Sequence, residues 1–157
     1  RRKFKEKSLY TIGYEGVTIE TFLSALKQAK IKILFDVRAV PLSRKPGFSK
    51  NKLTAYLAAN DIAYIGLRDL GTPAAGRAAA RKGRINEMRT IYSKHLKTQA
   101  AQEDIAEAVG IATKRRACLL CFEHTASECH RALIADEIAQ QTGQKIVNLN
   151  PVVVALI

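Results

Sequence analysis

The sequence predicts an α/β fold: a three-layer sandwich around a mainly parallel, Rossmann-like sheet of about five strands. Two observations carry this. Short apolar runs alternate along the chain with segments of helical periodicity, and strands separated by helices return in parallel through right-handed crossovers. Several of those runs are nearly continuous in apolar residues, as in strands covered on both faces.

The elements follow in order. SLYTIG reads as a first strand that stops at Gly13, before the turn YEG. In VTIETFLSALKQAK the residues Ile19, Phe22, Leu23 and Leu26 share a helical face, with Thr18 as N-cap. IKILFDVR is a second strand ending in Asp36 and Arg38, and AVPLSRKPGFS, with two prolines and a glycine, excludes regular structure. KNKLTAYLAAND reads as a helix with Leu53, Tyr56 and Leu57 inward, followed by the strand IAYIGL. RDLGTPAAGRAAARKGRINE is then a long, arginine-rich connection, suited to seeking phosphate, although Ala78 to Arg81 equally suits a helix start. INEMRTIYSKHL and QEDIAEAVGIATK are helical, RACLLCF is a fourth strand, CHRALIADEIAQQTG is a helix closed by Gly143, and KIVNL is a fifth strand.

Composition bounds the function. A chain of 157 residues with 47% hydrophobic and 25% charged residues suits one globular domain, here residues 9–157 behind a basic tail, residues 1–8. No apolar run approaches the roughly 20 residues that span a bilayer, and RRKFKEK lacks the apolar core of a signal peptide. Three cysteines, an odd number, argue against a disulfide framework and for reduced thiols in a cytoplasm. The net charge of +12 attracts polyanions, nucleic acid or nucleotides first.

In an open α/β sheet ligands bind beyond the carboxyl ends of the strands. Those ends bring Tyr14 and Glu15, then Asp36 and Arg38, then Cys121, Glu123 and His124 onto one rim. Singly each has a structural explanation: Glu15 can cap a turn, Asp36 can pair with Arg38, and Arg44 can be a solvated loop charge. Together, clustered acids and arginines point to a ligand or a reaction, because half-buried carboxylates cost free energy unless paired.

The stretch LLCFEHTASECHRALIADEI admits three chemistries. Strand alternation sends Cys118 and Cys121 to opposite faces, so a zinc site on Cys121, His124, Cys129 and His130 requires the loop to fold back. Cys129, in the first turn of a helix beside His130 and Arg131, suits a reactive thiolate. Glu123 at the strand end suits acid chemistry, with helix amides and the cations His130 and Arg131 holding an anion. TASE, from Thr125 to Glu128, has the form of a capping box, which leaves Glu123, His130 and Arg131 unexplained.

TIGYEG, DVRAVPLSR with GF beyond it, LRDLG, and LLCFE leading to CHRALIA together resemble the domain-of-unknown-function family 488 (DUF488), from Leu9 to Leu149. Two segments, GYEG and LGTP, depart from its usual pattern. The resemblance implies an α/β fold and a shared polar site at Gly13, Asp36, Arg38, Pro41, Ser43, Arg44, Gly47, Phe48, Cys121, Glu123, Cys129, His130 and Arg131. It implies no particular reaction.

The expectation is a cytoplasmic enzyme acting on nucleic acid or nucleotides. Asp36, Glu123 and His130 are its candidate catalytic residues, with Glu123 as the reactive carboxylate. Tyr14, Arg38, Ser43, Arg44, Phe48 and Arg131 are the candidate phosphate- and substrate-binding residues. No cofactor is implied, a divalent metal on the acids stays open, and no membrane or particular protein partner is indicated. The alternatives are a sulfurtransferase or redox enzyme using Cys129 or Cys121, and a non-catalytic nucleic-acid-binding module.

Overall fold

The structure, a computed structural model, describes residues 5–122 and 130–151. Among these the element order is β1 (Ser8–Gly13), α1 (Ile19–Gln28), β2 (Ile33–Asp36), α2 (Lys50–Ala58), β3 (Ala63–Gly66), a 3-10 turn (Arg68–Leu70), α3 (Ala74–Arg81), α4 (Ile85–His95), α5 (Gln99–Ala112), β4 (Ala117–Cys121), α6 (Arg131–Thr142) and β5 (Lys145–Asn148). The five strands form one sheet, parallel throughout, in the order β3-β2-β4-β1-β5.

The chain first walks outward, from β1 to β2 to β3, then returns to β4 and crosses over β1 to β5. With right-handed crossovers, opposite directions of travel put the connecting helices on opposite faces. The two apolar cores record this. One joins Ile12, Leu34, Cys118 and Leu120 of the sheet to Ile19, Phe22 and Leu26 of α1 and Leu53 and Leu57 of α2. The other joins Ile33, Phe35, Leu119 and Cys121 to residues of α3, α4, α5 and α6. Cys118 and Cys121 thus face opposite sides of the sheet, as strand alternation requires.

Local signals act where they were expected at α1 and α6. The Thr18 hydroxyl accepts from the Thr21 amide at 3.2 Å, and Gly143 closes α6 in the left-handed region at φ 75°. Two expectations need correction. Tyr56, assigned inward, is 44% exposed, because the short α2 covers the sheet with Leu53 and Leu57 alone. The connection after β3 is not an open loop: its alanine-rich centre forms α3, which packs closely on α4.

Candidate functional site

The strand order places β4 between β2 and β1, and the chain leaves β4 towards the opposite face from the one it takes after β1 and β2. A crevice opens at such a reversal, above the carboxyl ends of the strands. The register aligns Gly13 with Cys121 and Asp36 with Leu120, so Tyr14, Val37, Arg38 and Phe122 follow directly onto one rim.

Asp36 and Arg38, two apart on an extended chain, point to the same side, and both are buried. The pair is bidentate: Arg38 Nε donates to Asp36 Oδ1 at 2.8 Å and Nη2 to Oδ2 at 2.7 Å. The Tyr64 hydroxyl donates to Oδ2 at 2.5 Å and the Arg38 amide to Oδ1 at 3.1 Å, so both carboxylate oxygens are engaged. Arg38 Nη1 donates to the Phe48 carbonyl at 2.6 Å and reaches the Tyr14 hydroxyl at 3.4 Å. Gly47, at φ +89°, makes the turn that presents that carbonyl. Burial works against the Arg38 charge, but hydrogen bonding and attraction to Asp36 outweigh it, and the guanidinium stays firmly charged. Burial and the bond to Asp36 also raise the Tyr64 phenol. The ring of Tyr14 stacks on Phe48 at 4.6 Å, and Phe122 meets Tyr14 edge-on at 5.4 Å.

Arg131 lies on the other face, fully buried at 0% exposure. Its Nη1 donates to Cys121 Sγ at 2.9 Å and its Nε to Thr11 Oγ1 at 3.3 Å, while the Thr11 hydroxyl donates to Asn148 Oδ1 at 2.5 Å. Arg131, expected to hold phosphate, is withdrawn from solvent by the first turn of α6 and lies against β1 and β4. Cys121 is disulfide-bonded, which corrects the expectation of reduced thiols throughout. Among the described residues Cys118 is a free thiol, packed in the core.

His130 precedes α6 and bridges back to β2. Its Nε2 lies 2.8 Å from the Val37 carbonyl, which can only accept, so Nε2 carries the proton. The edge of Tyr92 packs on the ring at 5.4 Å. Burial pushes the imidazole down to about 4, and the Arg131 charge adds to this against the hydrogen bond to Val37 and the charge of Asp36. At neutral pH His130 is therefore an uncharged donor, not the cationic anion partner that sequence reasoning expected.

Above the rim lies a cleft with two lobes. The smaller, 180 Å³, is lined by Tyr14, Arg38, Val40, Cys121 and Phe122; the larger, 470 Å³, by Arg81, Ile85 and Met88. Thr72, Arg77, Phe122 and His130 line both, which joins the lobes. Arg77 and Arg81, one helical turn apart on α3, give the larger lobe its charge, and Arg77 Nη1 is steadied by the Thr72 carbonyl at 3.1 Å. In the sequence these two arginines belong to a positive stretch, and their i, i+4 spacing within an alanine-rich run is the signal that singles them out.

Of the remaining candidates, Phe48 is fully buried beneath Tyr14. The Ser43 hydroxyl accepts from the Lys45 amide at 3.1 Å within its own loop, and Arg44 is exposed and lines neither lobe. Glu15 is exposed at the turn after β1. Glu123, His124, the TASE capping box and Cys129 lie outside the described residues. Among the described residues no group of three or more His, Cys, Asp or Glu side chains could hold a metal ion. No described helix is long and apolar enough to cross a membrane.

The rim motifs DVR, LRDLG and LLCF that build this crevice are those of the resemblance, and the family model "Domain of unknown function DUF488" matches residues 18–138. The chain belongs to the DUF488 family. No curated protein and no solved structure matches it. The DUF488 match covers β2, the arginine-bearing α3, β4 and most of α6, and leaves out the TIGYEG segment of β1.

Proposed function

We propose that this DUF488 protein is an enzyme acting on nucleotides or nucleic acid, which it binds in the two-lobed cleft at the strand ends. The observation that carries the reading is the pair Arg77 and Arg81, facing the larger lobe from one side of α3 over the strand-end crevice. Two guanidinium groups one helical turn apart suit a phosphate, and the net charge of +12 draws polyanions towards them. Arg38 and Thr72 supply polar groups in the wall.

The reactive carboxylate in this reading is Glu123, next in the chain to Phe122. Asp36 has both oxygens engaged by Arg38 and Tyr64 and serves to position Arg38. His130 is a neutral donor beside the cleft. The test is mass analysis of oligonucleotides and mononucleotides after incubation, together with binding by fluorescence anisotropy. Wild-type protein should convert a substrate; Glu123→Gln should bind it without turnover, and Arg77→Glu with Arg81→Glu should lower affinity about tenfold or more. Binding without any change in mass would reduce the protein to a non-catalytic nucleic-acid module.

One observation favours a second reading, a redox or sulfur-transferring enzyme using Cys121 or Cys129. Cys121 is disulfide-bonded, lines the smaller lobe, and has Arg131 Nη1 at 2.9 Å from its sulfur, a placement that would favour thiolate on reduction. Reduction followed by alkylation should then abolish the activity; an activity indifferent to alkylation ends this reading.

A further inference from the structure

We propose that the cleft takes an unpaired nucleotide of a single strand, its base against Phe122 and Tyr14 in the smaller lobe and its phosphate on Arg77 and Arg81 in the larger; this rests on the phosphate-binding reading above. Phe122 is 48% exposed, although it directly follows a wholly buried strand. Its ring is nonetheless held in place. The Phe122 carbonyl accepts from the amides of Tyr14 at 3.1 Å and Glu15 at 2.8 Å, and its ring meets Tyr14 at 81°. Tyr14 is in turn stacked on the buried Phe48, which abuts Phe22 of α1 edge-on at 5.1 Å. An exposed aromatic ring backed by a packed aromatic row offers a base a stacking surface at little entropic cost.

The shape of the cleft selects the unpaired form. The smaller lobe, at 180 Å³, is below the roughly 300–1,000 Å³ of a drug-sized site, so it admits one ring system and not a stacked base pair. Val40, 48% exposed, adds apolar surface beside it, whereas Arg81 lines the larger lobe alone and Arg77 stands where the two lobes join. A lobe with an aromatic and apolar wall at Tyr14, Phe122 and Val40, joined through Arg77 to one that carries Arg81, matches the base and the phosphate of a single nucleotide. In a duplex the base is stacked and paired, and entry would require it to be turned out of the helix.

The experiment compares a short fluorescein-labelled mixed-sequence deoxyoligonucleotide, single-stranded and as a blunt duplex, by anisotropy at one salt concentration. The expected result is tighter binding of the single strand, a loss of about 5- to 150-fold in that affinity for Phe122→Ala, and an unchanged duplex affinity. Phe122→Leu keeps the apolar bulk, removes the ring, and carries the same expectation should the alanine variant fold poorly; Phe122→Trp should bind like wild type. Equal binding of both forms, unaffected at Phe122 but weakened by Arg77→Glu with Arg81→Glu, overturns this inference and leaves the phosphate reading standing. Binding indifferent to the two arginines overturns both.

Discussion

Among the side chains that line the cleft, His130 has its acid-base chemistry changed by folding in the range near neutral pH. Its imidazole is pushed down from an ordinary 6.5 to about 4, chiefly by burial, while Val37 holds its Nε2 proton. Between these two values an unfolded chain binds a proton that the folded one refuses. Stability from this group is thus intact above pH 6.5 and is lost progressively as pH falls towards 4, by on the order of 3 kcal/mol in all. Denaturant unfolding at pH 7 and pH 4.5 should show wild type losing more stability than His130→Gln over that interval; equal losses would contradict the assignment. Arg131 shows the limit of reading residues one at a time. In the sequence Arg131 reads as a cationic partner for an anion at the start of α6, yet the guanidinium is buried with Cys121 and Thr11. Nothing local distinguishes a buried arginine from an exposed one, since which side of a helix is covered depends on what packs there.

At the scale of elements, the crevice depends on how closely the 3-10 turn after β3 approaches the end of β2. A Cβ on Gly71 would lie 2.3 Å from both the amide nitrogen and the Cα of Ala39, a backbone that cannot give way as a side chain can. The glycine of LRDLG is thereby explained as a close approach that seats Thr72 and Arg77 over the rim. Gly71→Ala should cost about 1–3 kcal/mol by overpacking and weaken ligand binding with it. Gly110→Ala in α5, where a Cβ meets nothing within 4 Å, should be neutral or stabilising by about 0.5–1 kcal/mol. Thermal melts of the two variants check this, and comparable melting temperatures would refute it. The strands and most helices were legible because their signal is local periodicity. α3 was only half legible: AAGRAAAR has the alanines of a helix but sits among glycines that suggest a loop, and packing on α4 decides between them.

For the molecule as a whole, the excess of 26 Lys and Arg over 14 Asp and Glu is a field as well as a set of contacts. If Arg77 and Arg81 each neutralise a phosphate, removing both should flatten the slope of log affinity against log salt by about 1.4 on single strands. Removing a charge outside the cleft, as in Arg44→Ala, should change the slope little. Titrations over several salt concentrations measure both, and equal slopes for the two variants would mean that charge acts without a site.

The sequence by itself determined the alternation of strands and helices, the rim that carries Tyr14, Asp36, Arg38 and Cys121, and the family, because periodicity and motif spacing are properties of the chain alone. Only the tertiary structure decided that Asp36 and Arg38 satisfy one another, that Arg131 is withdrawn from solvent, that Cys121 is bridged, and that Arg77 and Arg81 of α3 furnish the positive wall. Burial and pairing are set by residues brought from far along the chain, and desolvation turns the same charged side chain into a ligand for the protein itself or for something outside it.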